Sequence, residues 1–220
     1  MDLHTHSAAS PDGGITAVQY RRMLADGRLD VVAVTDHNRV DFALGLRAEL
    51  GARVIVGEEI TAREGEIIGL YLESAVPAGL SAQETVRRIK QQHGLVYIPH
   101  PFETVRKGLD VATLEAIAAD VDIIETRNGR AVFQNRSAAA GVWAAKHAVP
   151  GAASSDAHGA VGWGKTYSVL AAAPTHATLV TLLYDAQLAA SPPGLRGVLY
   201  PKLNRLRKKI GHAARRDEHV

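Results

Sequence analysis

Five short segments decide most of what this chain can fold into. Asp2-Leu3-His4-Thr5-His6, Thr35-Asp36-His37-Asn38, Gly57-Glu58-Glu59, Pro99-His100-Pro101 and Ser155-Asp156-Ala157-His158 each set an imidazole or carboxylate at, or just beyond, the end of a strand-like run. Strand-like runs at 30–35, 53–60, 66–72, 95–98, 121–126, 149–153 and 165–170 alternate with helical patterns at 16–27, 40–50, 81–93, 111–119, 131–147 and 175–189. Near-continuous apolar strands between helices predict an α/β fold with a parallel sheet covered by helices. A doubly wound sheet cannot bring so many strand ends together, whereas a barrel gathers them around one mouth. The expectation is therefore a barrel with few or distorted strands.

Composition removes several classes. With no cysteine, disulfides and thiolate metal sites are excluded. No apolar run approaches ~18 residues, so no membrane span is expected. Met1-Asp2-Leu3-His4 lacks the basic and apolar regions of a signal peptide, and a cytoplasmic location is the expectation. Residues 201–220 carry seven Lys or Arg against two Asp or Glu, which leaves 1–200 at a net −3. The basic pI thus belongs to the tail, and the body offers no composition-level nucleic-acid surface. Ser191-Pro192-Pro193-Gly194 marks a boundary between a body, 1–194, and a basic helix and tail, 195–220. Leu199, Leu203, Leu206 and Ile210 recur at helical spacing within 197–211. That helix is expected to pack on the body with its basic face in solvent; contact with a phosphate-rich or membrane surface is the alternative.

The segments carry metal-type chemistry. His4 and His6 lie two apart on a strand and share a face, and Asp156 and His158 repeat the spacing. Nitrogen and oxygen donors without sulfur suit zinc, manganese or iron. Of Asp36 and His37, one is expected to ligate and the other to support it. Asp12 follows in a Pro-Asp-Gly turn, as a ligand, a supporting group or a turn residue. Glu59 can bridge two cations, as a neutral imidazole cannot. Glu58 alternates to the other face, as a support or salt-bridge residue. His100 is held between two prolines that restrict its backbone. His93, His147 and His176 have no partner pattern, and His212 and His219 belong to the tail.

Together these residues resemble the PHP family, named for polymerases and histidinol phosphatases. Asp2-Leu3-His4-Thr5-His6-Ser7 with Ser10-Pro11-Asp12-Gly13, Val34-Thr35-Asp36-His37-Asn38, Pro99-His100-Pro101 and Ser154-Ser155-Asp156-Ala157-His158 look like its four motifs. Gly57-Glu58-Glu59-Ile60-Thr61 is similar to the strand of its bridging glutamate. The resemblance implies a distorted (β/α)7 TIM-like barrel with two or three divalent ions at its C-terminal mouth. It implies one ion on His4, His6, Glu59 and Asp156, a second on Glu59 and His100, and a third near His37, His158 and Asp12. One departure stands out. Many members carry a histidine on the next strand, where Gly65-Glu66-Ile67-Ile68-Gly69-Leu70 has isoleucine. Glu66 is expected to supply the missing ligand, and its charge favours manganese or iron over zinc.

The expected activity is phosphoester hydrolysis by a metal-activated hydroxide, with Asp156 or His158 relaying a proton to the leaving oxygen. Arg39, Arg127 and Lys165 are candidate phosphate contacts, and Asn128 a candidate substrate or supporting contact. Histidinol phosphate, another small phosphorylated metabolite, a nucleotide and a nucleic-acid end are all candidate substrates. Only 34 positions separate Glu66 from His100, too few for an inserted cap domain, so an open mouth is expected. The alternative is a non-catalytic metal-binding module within a larger assembly.

Overall fold

A computed structural model of the chain describes residues 1–132, 134–191 and 195–217. The strands are β1 (Val32–Val34), β2 (Val54–Thr61), β3 (Glu66–Leu70), β4 (Leu95–Ile98), β5 (Ile123–Asn128), β6 (Gly151–Ser154), β7 (Tyr167–Val169) and β8 (Gln187–Ala189). The helices are α1 (Ala17–Ala25), α2 (Asp41–Leu50), α3 (Ala82–Gln91), α4 (Val111–Ala116), α5 (Ser137–His147), α6 (Leu179–Tyr184) and α7 (Leu195–Asp217). Strands β1 to β6 form one curled sheet in chain order, and β7 pairs with β8 apart from it.

The sheet is mixed, which corrects the parallel expectation. β3 runs antiparallel to both β2 and β4, while β1–β2, β4–β5 and β5–β6 are parallel. The reason is length. Ala62–Gly65 allows only a hairpin, and a parallel return needs a dozen or more residues. Residues 2–7 form no long strand. Asp2 bridges Val32 and Thr5 bridges Ala157, so this segment lies between β1 and the chain leaving β6. Residues 175–189, expected as one helix, divide into α6 and β8.

The period-2 alternation of the strands sorts side chains into two cores. Val32, Val34, Val54, Val56, Ile67, Val96, Ile98 and Ile124 pack outward under the helices. Val31, Ala33, Ile55, Ile68, Leu70, Leu95, Tyr97 and Ile123 fill the concave side. The inward rows then continue toward one rim. In β2 the row runs Ile55, Gly57, Glu59, and in β5 it runs Ile123, Glu125. β3 travels the opposite way, so its first residue, Glu66, reaches the same rim. Sheet curvature and parity thus deliver three carboxylates to one end of the concave face.

α7 departs from expectation in its facing. Leu199, Leu203, Leu206 and Ile210 are exposed, by 42% to 61%, and none belongs to either core. Its polar side meets the body instead, through Asn204, Arg205 and Lys208. Of the expected boundary, Pro192, Pro193 and Gly194 lie outside the described residues, as does His219. No described helix is long and apolar enough to cross a membrane.

Candidate metal centre

The side chains of all five segments meet at the rim. His4 Nε2 lies 3.1 Å from His6 Nε2, 3.3 Å from Glu59 Oε2 and 3.7 Å from Asp156 Oδ1. His6 Nε2 lies 3.1 Å from Glu59 Oε2 and 3.6 Å from Asp156 Oδ1. The second oxygen of Glu59 lies 3.0 Å from His100 Nε2. Glu66 reaches in from β3, 3.9 Å from His100 Nε2 and 3.8 Å from His37 Nδ1. Asp12 Oδ2 sits 3.4 Å from His37 Nε2 and 3.5 Å from His158 Nε2.

These contacts fit divalent ions on the chemistry of the donors. His4 Nδ1 is 3.2 Å from Glu125 Oε1, and an ionised carboxylate only accepts. His4 must therefore carry its proton on Nδ1, leaving the Nε2 lone pair aimed at another ring nitrogen and two carboxylate oxygens. Four acceptor atoms facing one another need a cation or protons between them. Ligands at ~2.0–2.2 Å around a tetrahedral ion stand at roughly this mutual spacing. The electrostatics agree. Burial alone would lower His6, yet the carboxylates of Asp156 and Glu59 push it up to about 10. Burial opposes the charge of Asp156 and Glu59, but neighbouring arginine and histidines hold both well below the usual carboxylate range. The cluster draws positive charge. Glu66 goes the other way: burial and the adjacent Glu59 raise it to about 9. His158 is lowered to about 3 by burial, then by His6 and Arg130.

A supporting layer fixes these groups. Glu125 has both oxygens engaged. Oε1 meets His4 and the Tyr97 hydroxyl at 3.0 Å, and Oε2 accepts from the His100 amide at 2.6 Å and from Asn128 at 2.7 Å. Asp36 accepts from the Ser7 amide and hydroxyl, at 2.6 and 2.5 Å, so it pins the first segment while His37 enters the cluster. Asp2 accepts from the Ser155 amide at 3.0 Å and from Trp163 Nε1 at 3.2 Å, tying the first segment to the last. Glu58 is fully buried on the outer side and accepts from the Val76 amide at 2.7 Å, with no salt bridge among its contacts. Asn38, His100 and Asp156 all adopt positive φ, at 55°, 30° and 51°. Such backbone costs about 1–3 kcal/mol per residue and gathers at sites that need a fixed side-chain direction. At His100 the flanking prolines do not impose an extended backbone; the bond to Glu125 holds it.

The basic residues expected at the mouth are placed elsewhere. Arg39 is paired with Asp41, at 2.7 and 2.5 Å, and with the Ala9 carbonyl. Lys165 is exposed beyond β6. Arg127 is exposed because the β5–β6 register shifts between Glu125 and Arg127, which breaks the alternation and turns Asn128 inward. Asn128 bonds Glu125 and the Arg130 amide, and also accepts from Arg106, as a supporting group. A cavity of about 290 Å³ opens above the cluster, walled by Arg106, Lys107, Arg130, Lys202 and Arg205. Arg106 and Arg130 both contact Asp156, at 2.9 and 3.2 Å. Sequence reading missed these arginines, since they lie in loops with no periodic signal. It also missed Glu125, whose place on the inward row two residues after Ile123 was the available clue.

No family model matches the chain. An uncharacterised protein of Methanocaldococcus jannaschii, MJ1587, is 35% identical over 140 residues, covering 58% of this chain and 80% of that protein. Among solved structures, a two-domain Bacteroides vulgatus protein containing a predicted PHP-like metal-dependent phosphoesterase is 20% identical with a TM-score of 0.63. That match covers 93% of this chain, which spans only 62% of the Bacteroides chain. PsfC from Pseudomonas syringae is 15% identical with a TM-score of 0.66, over 94% of this chain and 99% of PsfC. The curled mixed sheet and its rim of histidines and carboxylates thus define a PHP-like fold with a candidate metal centre. The chain shares the fold of these PHP-like structures.

Proposed function

We propose that the chain is a metal-dependent phosphoesterase acting on a small phosphate ester, with at least two divalent ions at the rim. The observation that carries this is the pairing of two features. Ring nitrogens of His4, His6 and His100 converge on carboxylate oxygens of Glu59 and Asp156, directly under a cavity walled by five cationic side chains. His4, His6 and Asp156 would hold one ion, Glu59 would bridge, and His100 with Glu66 would hold the second. Manganese or iron suits the carboxylate-rich second position. Ions so placed supply Lewis acidity and an activated water at neutral pH.

The rest falls to the chain's own groups. Arg106 and Arg130 present guanidinium donors, which match phosphoryl oxygens in geometry and charge. Asp156 and His158, 3.4 Å apart, are the candidates to pass a proton to the leaving oxygen. A cavity of about 290 Å³ would seat the phosphoryl group of a small phosphorylated metabolite. The same reading takes residues 2–7 as the closing stave of a distorted (β/α)7 barrel, supported by the bridges to Val32 and Ala157.

The test is hydrolysis of p-nitrophenyl phosphate by the folded, manganese-loaded protein. Metal-dependent turnover is expected. Turnover that survives full chelation would remove the mechanism, and inactivity with every divalent ion would leave the non-catalytic module as the better reading.

A further inference from the structure

In the third cluster of the rim the carboxylate oxygen that faces the imidazoles is itself the one paired with a guanidinium, whereas Arg106 and Arg130 stand nearest the other oxygen of Asp156. Asp12 Oδ2 is the atom that faces both His37 Nε2 and His158 Nε2, at 3.4 and 3.5 Å. The same atom accepts from Arg205 Nη2 at 2.6 Å. The other oxygen of Asp12 accepts from the Ser10 hydroxyl at 3.1 Å. Arg205 therefore already takes an acceptor site on the one oxygen that a third ion would share with both imidazoles. A guanidinium stays charged at any working pH, so an ion at this position would also meet like charge at close range.

Arg205 is not a wandering surface side chain, because the body is shaped to receive its helix. Asn204, buried in α7, donates to the Asp12 carbonyl at 2.9 Å and the His158 carbonyl at 2.8 Å. Lys208 donates to the carbonyls of Ala8, Ser10 and Gly13, all in the loop that bears Asp12. A β-carbon on Gly14 would stand 2.8 Å from the Asn204 amide nitrogen, and one on Gly159 would stand 2.8 Å from the Tyr200 ring. Two body glycines thus leave the space that α7 needs. Asn204, Arg205 and Lys208 converge on the turn that bears Asp12.

We propose that Arg205 replaces the third metal: the centre takes two divalent ions, and the guanidinium from α7 supplies the third positive charge beside Asp12, His37 and His158. This rests on the metal-centre reading above. Arg205 also lines the cavity, beside the space where a phosphoryl group would lie.

Metal content decides it, independently of activity. The full chain is stripped, equilibrated with excess Mn2+, and counted by elemental analysis and native mass spectrometry. The unmodified protein is expected to bind two ions per chain. Arg205→Ala and Arg205→Gln should each bind three, and adding Asp12→Asn to Arg205→Ala should return the count to two. Arg205 is more than half exposed, so its loss leaves the core intact, and the circular dichroism spectrum checks this. Three ions in the unmodified protein, or two in both Arg205 variants, would overturn the inference alone. One ion or none in the unmodified protein would overturn the two-metal reading itself.

Discussion

Glu66 and Glu58 show how the face of a strand decides what a carboxylate does. Glu66 is the first residue of an antiparallel strand and therefore sits at the rim, close to His37 and His100. The sequence showed the gap left by the missing histidine and a carboxylate beside it. It did not show the strand direction that makes the substitution geometrically sound. If Glu66 is a ligand, Glu66→Gln should lower Mn2+ affinity by at least tenfold, while Glu66→His should keep most of it. Isothermal titration of both variants checks this, and unchanged affinity in Glu66→Gln would remove Glu66 from the ligand set. Glu58 faces the outer core, where burial raises it to about 7. The folded state then holds this proton more tightly than the unfolded chain does. Stability is present below about pH 4.5 and falls as pH rises toward 7, at no more than roughly 1.4 kcal/mol per pH unit. Urea titrations of metal-free protein from pH 5 to 8 should show this slope, and Glu58→Gln should flatten it.

At the scale of elements, the positions of most strands and helices were legible, because buried strands and capped helices write strong local signals. Thr16 caps α1 in a complete capping box with Gln19. Ser81 caps α3, but Glu84 turns to Arg87 and Arg88 and does not close the box. What local signals could not give was direction and register. The hairpin between β2 and β3 and the irregularity at Arg127 both depend on pairing, and both decide which side chains reach the rim. The sequence placed the five ligand segments together correctly because strand ends follow from the apolar runs. It gave no sign of Arg106 and Arg130 at the cavity wall, because loop arginines follow from no run. Gly57 ties this pairing to the centre. A β-carbon there would stand 2.8 Å from Thr35 Cγ2 and 3.2 Å from the Gly69 carbonyl. Gly57→Ala should push β1 from β2, the pair that carries His37 and Glu59. The expected cost is about 1–3 kcal/mol of stability by urea denaturation, with weaker metal retention. A variant as stable as the parent would mean the strands can part there without strain.

Across the whole molecule, α7 presents the puzzle that its apolar stripe faces solvent while its polar face binds the body. A helix usually docks by burying its apolar side. Here the body offers the turn that bears Asp12 and a row of carbonyls, so the basic and amide side chains make much of the seat. Sequence periodicity identifies such a stripe but cannot say which side meets the body, since that depends on the chemistry of the surface opposite. Two substitutions two residues apart, on opposite sides of the helix, separate the faces. Leu206 is 55% exposed, so Leu206→Gln should change stability by less than ~0.5 kcal/mol, as at ordinary surface positions. Asn204 satisfies two carbonyls, those of Asp12 and His158. Removing it leaves both without this donor and costs about 2 kcal/mol for the docked helix, or roughly thirtyfold in the opening equilibrium. Hydrogen exchange reads this directly. In Asn204→Ala the amides of α7 should exchange about thirtyfold faster while those of β2 and β5 keep their protection, and in Leu206→Gln neither should change. Equal acceleration of the sheet would mean that α7 is part of the core's cooperative unit and not a separately docked element over the metal centre.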